Sequence, residues 1–209
     1  MRVLVLVDDH WHPESVVREG LAPLEDKGYV FDWIEDGTEW AAERMADYPV
    51  VVLSKSNNVT QADKTPWVTP EVEQAFADYV RLGGGLLATH SGTVYIGTDT
   101  LRPLLGGTFI EHPPQCKVTV SPQSGHPLVA GVSSFTTEDE HYQMQMEEDV
   151  TDVFLTSASE HGTQPAGWTR TEGDGRVCVL TPGHNAEVWL TPAYQVLLDN
   201  ALRWCAGEA

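Results

Sequence analysis

The sequence predicts an α/β protein with a mostly parallel sheet and an added β-hairpin in its C-terminal half. Over residues 1–92, short continuous apolar runs rich in valine alternate with amphipathic helical patterns. That alternation marks a parallel sheet whose strands are covered on both faces. Glycine or proline punctuates most of the junctions. After Gly92 the texture changes to shorter β segments, two of them flanking Glu172-Gly173-Asp174-Gly175.

The elements follow in order. Residues 3–7 are an apolar run that ends in Asp8-Asp9-His10 and suits a strand buried on both sides. Pro13-Glu14 opens a helix with Val16, Val17, Leu21 and Leu24 at helical spacing, and Gly28 stops it. Residues 30–34 form a second strand, and 38–48 a shorter helix with Trp40, Ala41 and Met45 on one side. Residues 49–53 form a third strand. Thr69 caps a helix with Pro70 at its first position, and the helix runs to Leu82 before the triple glycine 83–85. Residues 86–89 are a fourth strand. A short helix at 101–105 precedes β segments around 108–110, 116–120, 153–156, 166–170 and 176–180. The last pair reads as a hairpin on its Asp-Gly turn signal. Pro192 starts a final helix with Val196, Leu197, Leu202 and Trp204 as its apolar face.

Composition bounds the function without naming it. The chain has 209 residues, with Lys+Arg 12 against Asp+Glu 31 and a net charge of −19. Nucleic acid and anionic membrane both require a basic face, so neither is an expected partner. At 41% hydrophobic the chain can bury a core, and no apolar run approaches the roughly 20 residues of a membrane span. The N-terminus does not read as a signal peptide, because acids follow Val7 at once. Cys116, Cys178 and Cys205 are scattered and odd in number. They make neither a disulfide framework nor a paired-cysteine zinc signature, and a reducing cytoplasm is the expected compartment. With no repeat and no linker, one domain over 1–209 is expected, as a monomer or a homo-oligomer.

In open α/β sheets ligands bind beyond the carboxyl ends of the strands. The first strand delivers Asp8, Asp9, His10 and His12 there, the third Lys55 and Asn57, and the fourth His90 and Ser91. The strand at 176–180 leads to His184. Any one of these histidines reads as an ordinary half-buried residue, whereas His90 and His184 together read as a site. Ala88-Thr89-His90-Ser91-Gly92 fits the small-x-nucleophile-x-Gly elbow, with an imidazole in the nucleophile slot. Histidine there is a general base, a metal ligand or, rarely, a nucleophile; a plain tight turn is the alternative.

A family resemblance becomes visible at this stretch. Residues 83–92, GGGLLATHSG, resemble the matching segment of the trehalose-utilisation (ThuA-like) family. So do Gly125-His126-Pro127-Leu128, then Phe135 with Asp139-Glu140-His141-Tyr142. So do Gly175-Arg176-Val177, residues 182–189 (PGHNAEVW) and Leu202-Arg203-Trp204. The matches run in order across most of the chain. The resemblance implies a flavodoxin-like three-layer sandwich related to class I glutamine amidotransferases. Those enzymes use an elbow cysteine with a histidine and a glutamate near the C-terminus. Here His90 fills the cysteine slot, while His184 and Glu187 resemble the partners with two residues between them instead of one. Glutaminase activity is therefore not expected. The resemblance also implies a carbohydrate substrate, reached through 3-keto-glycoside intermediates.

The expected function is hydrolysis or isomerisation of a 3-keto-glycoside such as a trehalose-type disaccharide. His90 and His184 would handle protons, with Glu187 orienting His184. Glu140, Tyr142 and His12 would complete the rim, and Lys55 or Arg170 would hold polarised oxygens. Asn57, Ser91, His112 and Trp168 are further substrate-binding candidates, Trp168 because indole faces stack on sugar rings. Strand alternation would put Glu140, Tyr142 and Met144 on the site's side and His141 and Gln143 on the other. Two alternatives stand beside this: a non-catalytic sugar-binding or regulatory domain, and a metal-dependent hydrolase. For the latter a divalent metal has His10, His12, His90 and His184 as candidate ligands, although no His pair has the i, i+4 spacing of a zinc protease. The acidic block at 138–149 otherwise reads as a solvated face.

Overall fold

The computed structural model describes residues 1–123, 125–147 and 152–208. Four strands, β1 (Arg2–Leu6), β2 (Val30–Ile34), β3 (Val50–Leu53) and β4 (Gly85–Thr89), form the parallel half with β11 (Gly175–Leu180). Their order, β2-β1-β3-β4-β11, reverses direction at β1, so a crevice opens between the carboxyl ends of β1 and β3. Four antiparallel strands extend the sheet through β11: β10 (Gly162–Glu172), β9 (Asp152–Ser159), β6 (Cys116–Pro122) and β7 (Phe135–Asp139). A separate two-stranded sheet pairs β5 (Gly107–Glu111) with β8 (Gln143–Met146).

Alternation along the parallel strands fills two cores. Val3, Val5, Val50, Val52, Leu87, Cys178 and Leu180 pack against α1 (Glu14–Glu25), α5 (Ala186–Leu190) and α6 (Pro192–Cys205). Leu4, Leu6, Val51, Leu53, Leu86, Ala88, Val177 and Val179 pack against α2 (Ala42–Met45), α3 (Pro70–Arg81) and α4 (Leu101–Leu105). The result is an α/β three-layer sandwich. The apolar runs of the inner strands β1, β3 and β4 are uninterrupted because both their faces are dry, whereas the edge strand β2 leaves Val30 exposed and Asp32 half-buried. Among the described residues no helix is long and apolar enough to cross a membrane.

The structure corrects the sequence reading at several elements. The helix expected at 38–48 is a 3₁₀ turn over Gly37–Glu39 followed by the single turn of α2. Asp36 accepts the Thr38 N–H at 2.7 Å, and Trp40 then turns extended to stack on Phe76. The hairpin turn is centred on Gly173-Asp174, since Glu172 pairs with Gly175. Gly173 has φ +59°, and a Cβ there would lie 2.5 Å from the Arg81 carbonyl oxygen. Strand β7 and helix α5 carried no sequence signal strong enough to place them, FTTED being short and polar, and the strand alternation expected over Glu140–Met144 is met only from Gln143 onward, in β8. The acidic block is not one solvated face. Asp139 and Glu140 turn inward, and its last two residues, 148 and 149, lie outside the described residues.

Candidate functional site

At the end of β1 the chain turns through Asp8, which adopts a left-handed conformation with φ 67°. Asp9 follows, fully buried. Its Oδ1 accepts the Trp11 and His12 N–H groups at 2.9 and 3.2 Å and His12 Nδ1 at 2.8 Å; its Oδ2 accepts the Ser56 N–H at 2.9 Å. Burial pushes the Asp9 carboxyl up, but His12 and these donors outweigh it and hold it well below the usual carboxylate range. A carboxylate only accepts, so Nδ1 of His12 carries the proton and Nε2 presents a bare lone pair. Burial, first among the causes, also lowers the His12 pKa.

β4 delivers His90 in the left-handed region, φ 43°. Gly92 lets this turn sit against β3, because a Cβ there would lie 1.8 Å from the Leu53 carbonyl oxygen. His90 Nδ1 donates to the Thr181 carbonyl at 2.9 Å, so its Nε2 likewise faces inward without a proton. The Tyr142 ring stacks on His90 with centroids 4.2 Å apart.

β11 leads to His184 through Gly183, φ 144°. Trp189 Nε1 donates to the Gly183 carbonyl at 2.8 Å, and Tyr194 Oη to the Pro182 carbonyl at 2.7 Å. Asp139, at the end of β7, receives the N–H groups of Gly183 and His184. The next residue, Glu140, enters the cluster. Its Oε2 lies 3.4 Å from His90 Nε2 and 3.2 Å from His184 Nδ1, and its Oε1 lies 3.5 Å from His112 Nε2. Burial raises the Glu140 carboxyl, yet His184 and His90 hold it well below the carboxylate range. Glu140 in turn raises the His184 pKa, against the opposing effect of burial.

The imidazoles of His12, His90 and His184 are mutually near-perpendicular, with centroids 4.9, 5.2 and 5.6 Å apart. One donor atom from each, with a Glu140 oxygen, lies within 4.8 Å of all the others. His12, His184 and Glu140 line a cavity of about 480 Å³, a volume within the usual range for small-molecule sites, with the buried His90 packed against them. Trp11, Phe109, Tyr142 and His112 supply its aromatic wall, and Asn57 and Asn58 its polar one.

The remaining candidates divide sharply. His112, Asn57 and Tyr142 line the cavity. Asn57 also holds its own loop, as Oδ1 accepts the Trp67 and Val68 N–H groups at 3.0 and 2.9 Å. Ser91 is buried and outside the cavity lining. Lys55 does not hold a substrate oxygen: its Nζ is consumed by the carbonyls of Val7, Asp8, Glu35 and Val59 beneath the strand ends. Trp168 is fully buried and donates to the Leu105 carbonyl at 2.8 Å, so no sugar reaches it. Arg170 contacts the Pro103 carbonyl and Glu172, away from the cavity. Glu187 is exposed on α5, one turn past the histidine it was expected to orient; Asp139 holds that segment instead. His10 sits at the rim, 3.0 Å from the Gln61 carbonyl oxygen, and is not one of the clustered imidazoles. Glu140 and Tyr142 face the cavity from a loop rather than a strand, while His141 faces away, bonded to Ser157 and Ser159. Sequence reasoning missed the parts of Asp9 and Asp139; each stands beside a flagged residue, but which main-chain groups it would hold has no local signature.

A family model described as trehalose utilisation, ThuA, matches residues 2–205. No curated protein matches the chain in sequence. Among solved structures, a ThuA-like protein from Parabacteroides merdae superposes with a TM-score of 0.77 at 18% identity, covering 99% of this chain and 90% of that one. A ThuA-like protein from Bacteroides uniformis gives 0.73 at 24%, covering 98% and 91%. A cytoplasmic protein from Salmonella typhimurium gives 0.71 at 17%, covering 98% and 99%.

Proposed function

The chain belongs to the ThuA, trehalose-utilisation family, and from that premise we propose that it is an enzyme hydrolysing or isomerising a 3-keto-glycoside such as a trehalose-type disaccharide. The observation that carries the reading is the cluster of His12, His90, His184 and Glu140, three of whose members, His12, His184 and Glu140, line an aromatic-walled cavity. A ketone acidifies the neighbouring C–H. A base in the floor removes that proton, the electron pair moves into the enolate, and the enolate expels the glycosidic oxygen, which leaves with a proton from an imidazolium. Addition of water completes hydrolysis, whereas transfer of the neighbouring hydroxyl's proton to the former ketone oxygen, followed by protonation of the former carbonyl carbon, gives the isomeric ketone without loss of the glycosidic oxygen. This route dispenses with the two flanking carboxylates of ordinary glycosidases. Ammonia release from glutamine is not expected, since that chemistry needs a thiolate and the elbow carries His90. A cytoplasmic location fits the scattered free cysteines and the cytoplasmic neighbour from Salmonella.

The test is a panel of 3-keto-glycosides, 3-keto-trehalose among them, assayed for sugar release and for isomer formation with the wild type and Glu140→Gln. Turnover by the wild type that drops at least ~100-fold in the variant supports the reading. Saturable binding without turnover assigns the protein to the non-catalytic sugar-binding class.

A further inference from the structure

We propose that His12, His90, Glu140 and His184 bind one divalent cation of borderline softness, with zinc the first candidate. The inference shares its site with the carbohydrate reading but does not depend on any substrate. Three features of the cluster support it.

The first is unmet bonding. His12 Nε2, His90 Nε2 and His184 Nδ1 are buried and make no aligned hydrogen bond. The bare Nε2 lone pairs of His12 and His90, aimed into the cluster beside a carboxylate, are costly away from water unless something positive lies between them. The second is spacing. With ligands at about 2.0–2.1 Å, a tetrahedral cation sets donor–donor separations of roughly 3.3 Å. The separations from Glu140 Oε2 to His90 and His184 are 3.4 and 3.2 Å, and every donor in the set lies within 4.8 Å of the others, so a cation would draw His12 inward by less than a bond length. The third is support behind the ligands. His12 Nδ1 donates to Asp9 and His90 Nδ1 to the Thr181 carbonyl, the outer hydrogen bonds that fix the tautomer and aim of a metal-binding imidazole. Imidazole with carboxylate is a donor set for zinc and its first-row neighbours rather than for calcium or magnesium. When bound, such a cation supplies a Lewis acid for a carbonyl oxygen entering from the cavity.

The full-length protein is stripped with a chelator, reloaded with Zn²⁺ or Co²⁺, desalted and analysed for metal by mass spectrometry. About one equivalent per chain is expected, with a rise in Tm on reloading and the visible absorption of tetrahedral Co²⁺. Glu140→Gln, the conservative change, should weaken binding at least ~10-fold, and His12→Ala should do the same, both with unchanged far-UV circular dichroism. His10→Ala, outside the cluster, should bind as the wild type does. Substoichiometric metal in the wild type, or one full equivalent retained by His12→Ala/Glu140→Gln, overturns the proposal. Failure of the wild type to take up metal while it still turns over a keto-glycoside overturns the proposal and leaves the carbohydrate reading intact. Full metal loading with no turnover of any keto-glycoside sustains the metal site while defeating that reading.

Discussion

Asp139 holds His184 by its main chain: the carboxylate accepts the His184 N–H at 2.9 Å through Oδ1 and the Gly183 N–H at 2.9 Å through Oδ2. Both side-chain oxygens are thereby used, and the imidazole of His184 stays free to meet Glu140. One short segment, Asp139-Glu140, both fixes the backbone of a cluster residue and supplies its partner. The antiparallel extension of the sheet is therefore part of the site, because it carries this segment to the carboxyl ends of the parallel strands.

Asp139→Asn keeps the side chain's shape but turns an NH₂ toward one of the two N–H donors. We expect an activity loss of at least ~10-fold, mostly in kcat, with Tm lower by about 3–8 °C. Steady-state kinetics with a calorimetric scan checks this; an unchanged kcat would remove Asp139 from the positioning of His184.

Gly92→Ala and Gly97→Ala separate close approach from backbone conformation. A Cβ at Gly92 would lie 1.8 Å from the Leu53 carbonyl oxygen, whereas Gly97, at φ +81°, has nothing within 4 Å. Gly97→Ala should cost about 1–2 kcal/mol. Gly92→Ala should cost more than 4 kcal/mol or leave no folded protein. Denaturant unfolding of the two variants side by side decides, and equal midpoints would contradict the packing described.

Lys55→Met should destabilise the fold by about 3–5 kcal/mol without touching the cavity wall. The ammonium serves four backbone carbonyls from the loops at the sheet's carboxyl edge, and methionine leaves buried acceptors unmet. Urea midpoints measure the cost. A variant of wild-type stability that had lost substrate binding would instead make Lys55 a substrate contact.

The Glu140–His184 pair predicts a pH window for the stability of chelator-treated protein. Glu140 is depressed from an ordinary 4.5, so its contribution is present above that value and is lost as pH falls toward its folded pKa. His184 is raised from an ordinary 6.5, so its contribution is full below that value and is lost as pH climbs through its folded pKa. The stability difference between wild type and Glu140→Gln should therefore peak between about 4.5 and 6.5. A difference growing steadily from pH 6 to 9 would reverse the assignment.

The parallel half of the fold was legible because β1, β3, β4 and β11 are continuous, almost wholly buried apolar runs, and β2 still shows Val30, Phe31 and Ile34 around a half-buried Asp32. β7 was not, since a short polar strand is stabilised by its neighbours rather than by its own pattern, and the alternation around Met144 pointed to β8 but started the strand at Glu140 instead of Gln143. The clustered histidines could be read from the strand ends they follow, His12 after β1, His90 after β4 and His184 after β11. Trp168, Arg170 and Glu187 misled for one reason: residue type suggests chemistry, but only packing decides which way a side chain points. Lys55 misled differently. It does stand at the strand ends, but below the cavity floor, where main-chain carbonyls claim its charge.

β11 joins the two halves of the large sheet, with β4 on one side and β10 on the other. Without residues 175–180 the sheet would be left with an unpaired edge at β4 on one side and at β10 on the other. One strand seals both. The same strand leads the segment after it to His90, at the end of β4. Continuity of the sheet and the placement of His184 beside His90 thus rest on the same strand, so a chain truncated before residue 175 carries neither.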